Sequence, residues 1–150
     1  MCGIIGILPR PCTRSAPEPS EILSLLDAAV AAGNNLSAVA DSLIAADQLL
    51  RGDAGVQALA GNLSLTNEIL SRLDAIDSVA NVEEVRIDAL HVDTVTLDAE
   101  ALRLSRVRDA SWAIRRDRLR TADAVHALAG ANASVTSLAG YLSIQQSLSA

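Results

Sequence analysis

Lysine is missing altogether: all twelve basic residues are arginine. That removes a Schiff-base lysine, and the lysine of a phosphate-binding P-loop, from the chemistry these residues can supply. Phenylalanine is missing as well, and Trp112 and Tyr141 are the whole aromatic complement. A platform for stacking nucleobases needs aromatics close together, and this chain has none. Only Cys2 and Cys12 carry thiols, too few for a disulfide framework. His91 and His126 have no C-x₂-C, H-E-x-x-H or i+4 partner, so neither a zinc site nor any cofactor is expected. The four prolines are confined to residues 9–19. The apolar run at residues 4–8 has no basic stretch before it and is far too short for a signal peptide or a membrane span. Gly3 stands one place too late for myristoylation. A cytoplasmic location and no membrane partner are therefore expected.

What is present is half apolar, chiefly Ala, Leu and Val, a mixture that favours long, closely approaching helices. The net charge of −6 argues against general nucleic-acid binding. Charge is unevenly spread: residues 98–120 hold seven arginines against four acids, a local +3 that leaves −9 for the remainder. Arg115, Arg116, Arg118 and Arg120 point several ways around a helix, so they make a solvated or salt-bridged face rather than one phosphate cradle. Trp112 is expected to anchor packing between helical hairpins.

Read in order, the chain divides into an N-terminal segment at 1–8, a Pro-rich linker at 9–19 and a helical region at 20–150. Ile4, Ile5, Ile7 and Leu8 predict a short buried strand, stopped by Pro9 and Pro11. Cys12 reads as a free loop thiol in the linker. Ser15 and Glu18, followed by Pro19, have the spacing of a capping box. The first helix then carries Ile22, Leu23, Leu25, Leu26, Ala29 and Val30 and ends at Gly33. Asn35 caps the second, whose stripe of Leu36, Val39, Leu43, Ala46 and Leu50 closes at Gly52. Asp53 caps a short helix through Leu59, stopped by Gly61. A helical pattern resumes from about Leu63 to Leu90. The β-branched alternation from Val85 to Leu97 could be strand, but a helix end followed by a loop is the better reading. From Thr96 a helix of roughly 50 Å should run to about Ala129, stopped by Gly130. Ser134 caps a last helix bearing Val135, Leu138, Leu142 and Leu148. The fold class is therefore mainly α, antiparallel helical hairpins in a bundle, with one short N-terminal strand.

The reactive chemistry sits in Met1-Cys2-Gly3-Ile4-Ile5-Gly6. Removal of Met1 would give Cys2 a free α-amine beside its thiol. The two titrate at about 7.7–8.0 and 8.5 in model peptides, close enough to neutrality for one to serve as base and the other as nucleophile. Gly3 allows close backbone approach to a substrate.

This string resembles the start of class II (N-terminal nucleophile) glutamine amidotransferases, and most of all glutamine–fructose-6-phosphate aminotransferases, the glucosamine-6-phosphate synthases. The resemblance implies that Cys2 attacks the side-chain amide of glutamine. A γ-glutamyl thioester forms, and ammonia is released to a sugar-phosphate isomerase domain. It also implies that the strand belongs to an αββα sandwich. The segments Trp112-Ala113-Ile114-Arg115-Arg116-Asp117-Arg118-Leu119-Arg120 and Ala139-Gly140-Tyr141-Leu142-Ser143-Ile144-Gln145-Gln146 look similar to a long bacterial form in which a helical insertion follows the Cys-Gly-Ile start. The family's Arg-Gly-x-Asp-Ser-Ala-Gly, Asn-Gly and Gly-His-Thr segments are not in these residues. Loss of an oxyanion donor alone costs about 10²–10³ in rate. The expectation is therefore an N-terminal portion, fragment or split product, that is not competent alone. Its partners would be glutamine, the rest of the amidotransferase and isomerase domains, and a possible second copy. A different class II acceptor is a further option. The alternative is a non-catalytic helical module docking a partner through its long Arg-bearing helix.

Overall fold

The computed structural model describes residues 14–131, and among them it is helix and short connections with no strand. The helices are α1 (Pro19–Ala31), α2 (Leu36–Leu49), α3 (Gly52–Leu59), α4 (Leu63–Asp88), α5 (Thr94–Ala113) and α6 (Arg120–Ala131). A π-helical segment, Ile114–Leu119, joins α5 to α6 without a break. The class is mainly α. The expected strand over residues 1–8, Cys2, Cys12 and the helix expected after Ser134 lie outside the described residues.

Helix boundaries follow local chemistry. Glu18 precedes a proline and is therefore extended (φ −69°, ψ 140°), which makes it the N-cap of α1, with Pro19 next. Its backbone N–H donates to the Glu21 carboxylate at 3.1 Å. The capping box thus lies one helical turn later than Ser15 and Glu18 suggested. Asn35 and Asn62 cap α2 and α4, their side-chain oxygens accepting from Ala38 N at 3.3 Å and Leu65 N at 3.1 Å. Asp93 caps α5, accepting from Thr96 N at 3.0 Å and from the Thr96 hydroxyl at 2.7 Å. The Thr96 hydrogen bond is the main reason the Asp93 carboxyl lies below its ordinary range. Arg51, not Asp53, is the N-cap residue of α3, and Asp53 sits in its first turn. The breaks expected at Gly33, Gly52 and Gly61 fall at left-handed φ values of 57°, 66° and 78°. Gly130 does not stop α6, which continues to Ala131.

The helices form a ring in which α1 packs on α2 and α4, and α5 closes against both α2 and α4. The core runs through Ile22, Leu26, Leu43, Ile69, Leu73 and Val107, all essentially inaccessible. Along α4 the buried stripe passes Ile76 to Ala80 and Ile87, leaving Val82 outside at 67 % exposure. The β-branched stretch from Val85 ends α4 and enters a short loop, because Asp93 and Thr96 start the next helix there. At one end of the bundle α3 meets α6 and the π-helical segment. No helix among the described residues is long and apolar enough to cross a membrane.

Candidate functional site

The arginines are the polar frame of the bundle. Arg72 on α4 reaches Asp27 on α1 at 2.6 Å, and that hydrogen bond holds its guanidinium above its ordinary pKa. On α5, Arg106 pairs with Asp41 of α2 at 2.8 Å. Arg108 grips both carboxylate oxygens of Glu84 on α4, at 2.9 and 2.7 Å, and Asn81 at 3.2 Å. Arg115 bridges Asp74 and Asp77 at 2.7 and 2.8 Å, while Ser111 donates to the other oxygen of Asp77 at 2.9 Å. Arg14 donates to the carbonyls of Gln48 (2.8 Å) and Leu49 (2.9 Å) in the last turn of α2 and to that of Arg51, the N-cap residue of α3, and so clasps the junction of the two helices. The Arg-rich helix is thus largely a salt-bridged face, fastened to α2 by Arg106 and to α4 by Arg108 and Arg115.

The densest of these contacts surrounds Asp47. Its side chain is only 5 % exposed and receives Arg51 at 2.6 and 2.8 Å and Arg118 Nε at 2.8 Å. Burial pushes the Asp47 carboxyl up, but the hydrogen bonds and charges of Arg118 and Arg51 outweigh it and hold it below the usual carboxylate value. Arg118 reaches this acid because of the π-helical segment. Along α5 the buried positions Leu104, Val107, Ser111 and Ile114 recur every three or four residues, yet the next buried residue is Leu119, five on from Ile114. A regular α-helix would turn Arg118 onto the core stripe, where a guanidinium has no place. The wider i→i+5 turn seats Leu119 there and brings Arg118 alongside Asp47.

The two histidines stand apart from this cluster. His91 is exposed and its Nδ1 lies 2.9 Å from the Ala89 carbonyl. His126 is an exposed helix-side residue against Gly61, where a Cβ would lie 3.2 Å from its ring. No group of three metal-ligating side chains occurs among the described residues. A cavity between α1, α2, α4 and α5, beside Ala29, Leu36, Ile76 and Val107, measures about 10 Å³, room for at most one water molecule and no substrate. Among the described helices Trp112 does not anchor packing between hairpins: it is 55 % exposed, and Arg116 lies over its ring at 5.4 Å. It projects from the side of α5 opposite Val107 and Ile114, so packing among the described helices never covers it.

Cys2, the one catalytic residue expected from the sequence, lies outside the described residues. Asp47 was missed by sequence reasoning, although a signal was present: it stands between Leu43 and Leu50 on the apolar stripe of α2, with an arginine four residues on. Neither a family model, nor a curated protein, nor a solved structure matches the chain.

Proposed function

We propose that this chain supplies the cysteine nucleophile of a glutamine amidotransferase of the glutamine–fructose-6-phosphate aminotransferase type, acting in the cytoplasm. The observation that carries the reading is the string Met1-Cys2-Gly3-Ile4-Ile5-Gly6. With Met1 removed, the α-amine of Cys2 accepts the thiol proton and the thiolate attacks the glutamine side-chain amide. Ammonia leaves, a γ-glutamyl thioester remains, and water hydrolyses it to glutamate. The ammonia serves glucosamine 6-phosphate synthesis from fructose 6-phosphate. On this reading the α1–α6 bundle is the helical insertion, and donors from the remaining amidotransferase segments complete the site. The described helices hold a scaffold of apolar core and arginine staples.

Intact-mass measurement before and after 6-diazo-5-oxo-norleucine, a glutamine-mimicking alkylator, tests the proposal, with Cys2→Ala as control. One adduct on a Met-less chain, absent from the control, is the expected result once the remaining segments are supplied. A Cys2 thiol that reacts with a generic thiol reagent but not with the glutamine mimic, even then, refutes it. A second reading, a non-catalytic module that docks a partner through its long helix, is favoured by the exposed Trp112 with Arg116 stacked upon it.

A further inference from the structure

One face of α5, continued by Arg116 of the π-helical segment, has no partner among the described residues. Arg106 ties one flank of the helix to α2 and Arg108 ties the other to α4. Between those flanks Asp98, Leu102, Ser105, Asp109, Trp112 and Arg116 all lie exposed, Leu102 at 64 % and Trp112 at 55 %. Their spacing alternates four and three residues throughout, the seam spacing of a coiled coil. The seam is acidic at one end, at Asp98, and basic at the other, at Arg116; between them lie the apolar Leu102 and Trp112, with Ser105 donating to the carboxylate of Asp109 at 3.4 Å. Asp98 and Arg116 have no ion-pair partner among the described residues, unlike Arg103, Arg106, Arg108, Arg115 and Arg118 on the same helical run.

We propose that this seam is the interface for a second copy of the chain, with the two α5 helices packed antiparallel about a two-fold axis at the level of Val107. The pattern is self-complementary in that orientation and in no parallel one. Leu102 meets the partner's Trp112, Ser105 meets the partner's Asp109, and Asp98 meets the partner's Arg116, each pair occurring twice as a two-fold axis requires. A parallel pairing in register sets Asp98 on the partner's Asp98 and Arg116 on the partner's Arg116, both repulsive. The stacked Trp112–Arg116 pair holds a large apolar surface and a guanidinium in place before association, which lowers the ordering cost of binding. A single helix pair lies at the small end of protein interfaces, so the dimer should be weak, with Kd in the micromolar range. The inference concerns the bundle alone and is independent of the reading of Cys2.

Sedimentation equilibrium of the full chain tests it. A monomer–dimer equilibrium is expected, with the emission of Trp112, the only tryptophan, moving to the blue as dimer forms. Asp98→Arg and Arg116→Asp should each weaken association by about tenfold or more, and the two combined in one chain should restore it to within about threefold. Leu102→Glu should leave only monomer, and the milder Leu102→Ser should weaken the dimer. Because these positions are exposed, far-UV circular dichroism should be unchanged in every variant. A chain that stays monomeric at all concentrations overturns the proposal. So does an association that Leu102→Glu leaves intact, or a double charge exchange that fails to restore what the single exchanges lose.

Discussion

Replacing Asp47 with asparagine should destabilise the fold by about 2–3 kcal/mol, although the side chain touches no cavity and keeps its volume. The estimate comes from its two partners. Arg118 is 21 % exposed and donates through Nε at 2.8 Å, and a hydrogen bond to a charged group is worth about 1.5–3 kcal/mol. Arg51 is 59 % exposed, so its pairing is screened and adds at most about 1 kcal/mol. Removing one partner of a fully buried pair costs about 3–5 kcal/mol, a ceiling not reached here because water still touches Arg118. Urea unfolding followed by circular dichroism measures the loss. A double-mutant cycle with Arg118→Gln should return a coupling of about 1 kcal/mol or more. A loss under about 1 kcal/mol, or strict additivity in the cycle, would refute the reasoning. The pH dependence has a definite sign. The folded-state pKa of Asp47 lies below its ordinary value of 3.8, so the stabilisation is fully present above that value and disappears as pH falls through the folded-state pKa. Wild type and Asp47→Asn should therefore differ by a constant amount at neutral pH and converge only under strongly acid conditions.

Gly55→Ala should cost about 3 kcal/mol or more, because the added Cβ would fall 1.9 Å from the Leu50 carbonyl oxygen and force α3 off the end of α2. Thermal unfolding of the variant checks it, and a Tm near wild type would show that this close approach is not what holds α3. Asn62→Ala should cost about 1 kcal/mol through loss of the α4 cap at Leu65 N, with amide exchange accelerated at the first turn of α4. Unchanged exchange there would assign the start of α4 to packing alone.

The helices were legible because their punctuation is local. Asn35 offers its side-chain oxygen to an N–H three residues on, as read from the sequence, and Gly33 and Gly61 supply the left-handed turns that follow a helix; Asn62 and Asp93 cap in the same way but were not read as caps. What could not be read depended on rotation about a helix axis. Val82 continues the apolar period of α4, but the stripe drifts toward Ala80 and Ile87, and Val82 turns outward. Trp112 was assigned inward on size alone, whereas its position relative to Val107 and Ile114 decides the matter. The π-helical segment was hidden for a similar reason. Its signature is a gap of four residues between Ile114 and Leu119, Arg115, Arg116, Asp117 and Arg118, and such a gap is visible only once the core stripe on either side is fixed. Asp47 and Arg51 were visible on the stripe of α2, but the approach of Arg118 depends on that same gap and was not.

The absence of lysine acquires a physical meaning in this fold. Without Phe, the core is built from Leu, Ile, Val and Ala, whose smooth stripes allow neighbouring helices to slide by a turn at little cost in buried area. The cross-links at the rim resist such slippage, and they rely on a guanidinium addressing two or three acceptors at fixed angles. Arg108 takes both oxygens of Glu84 and Asn81 as well, Arg115 spans Asp74 and Asp77, and Arg14 gathers three carbonyls. A lysine ammonium is a point charge on a flexible stem and would follow a sliding helix to the next carboxylate. Each exposed pair adds little stability, about 0–1 kcal/mol. Together they distinguish one register from its neighbours, which a core of interchangeable aliphatic residues does poorly. In this bundle, burial supplies the stability and the arginine geometry selects the alignment.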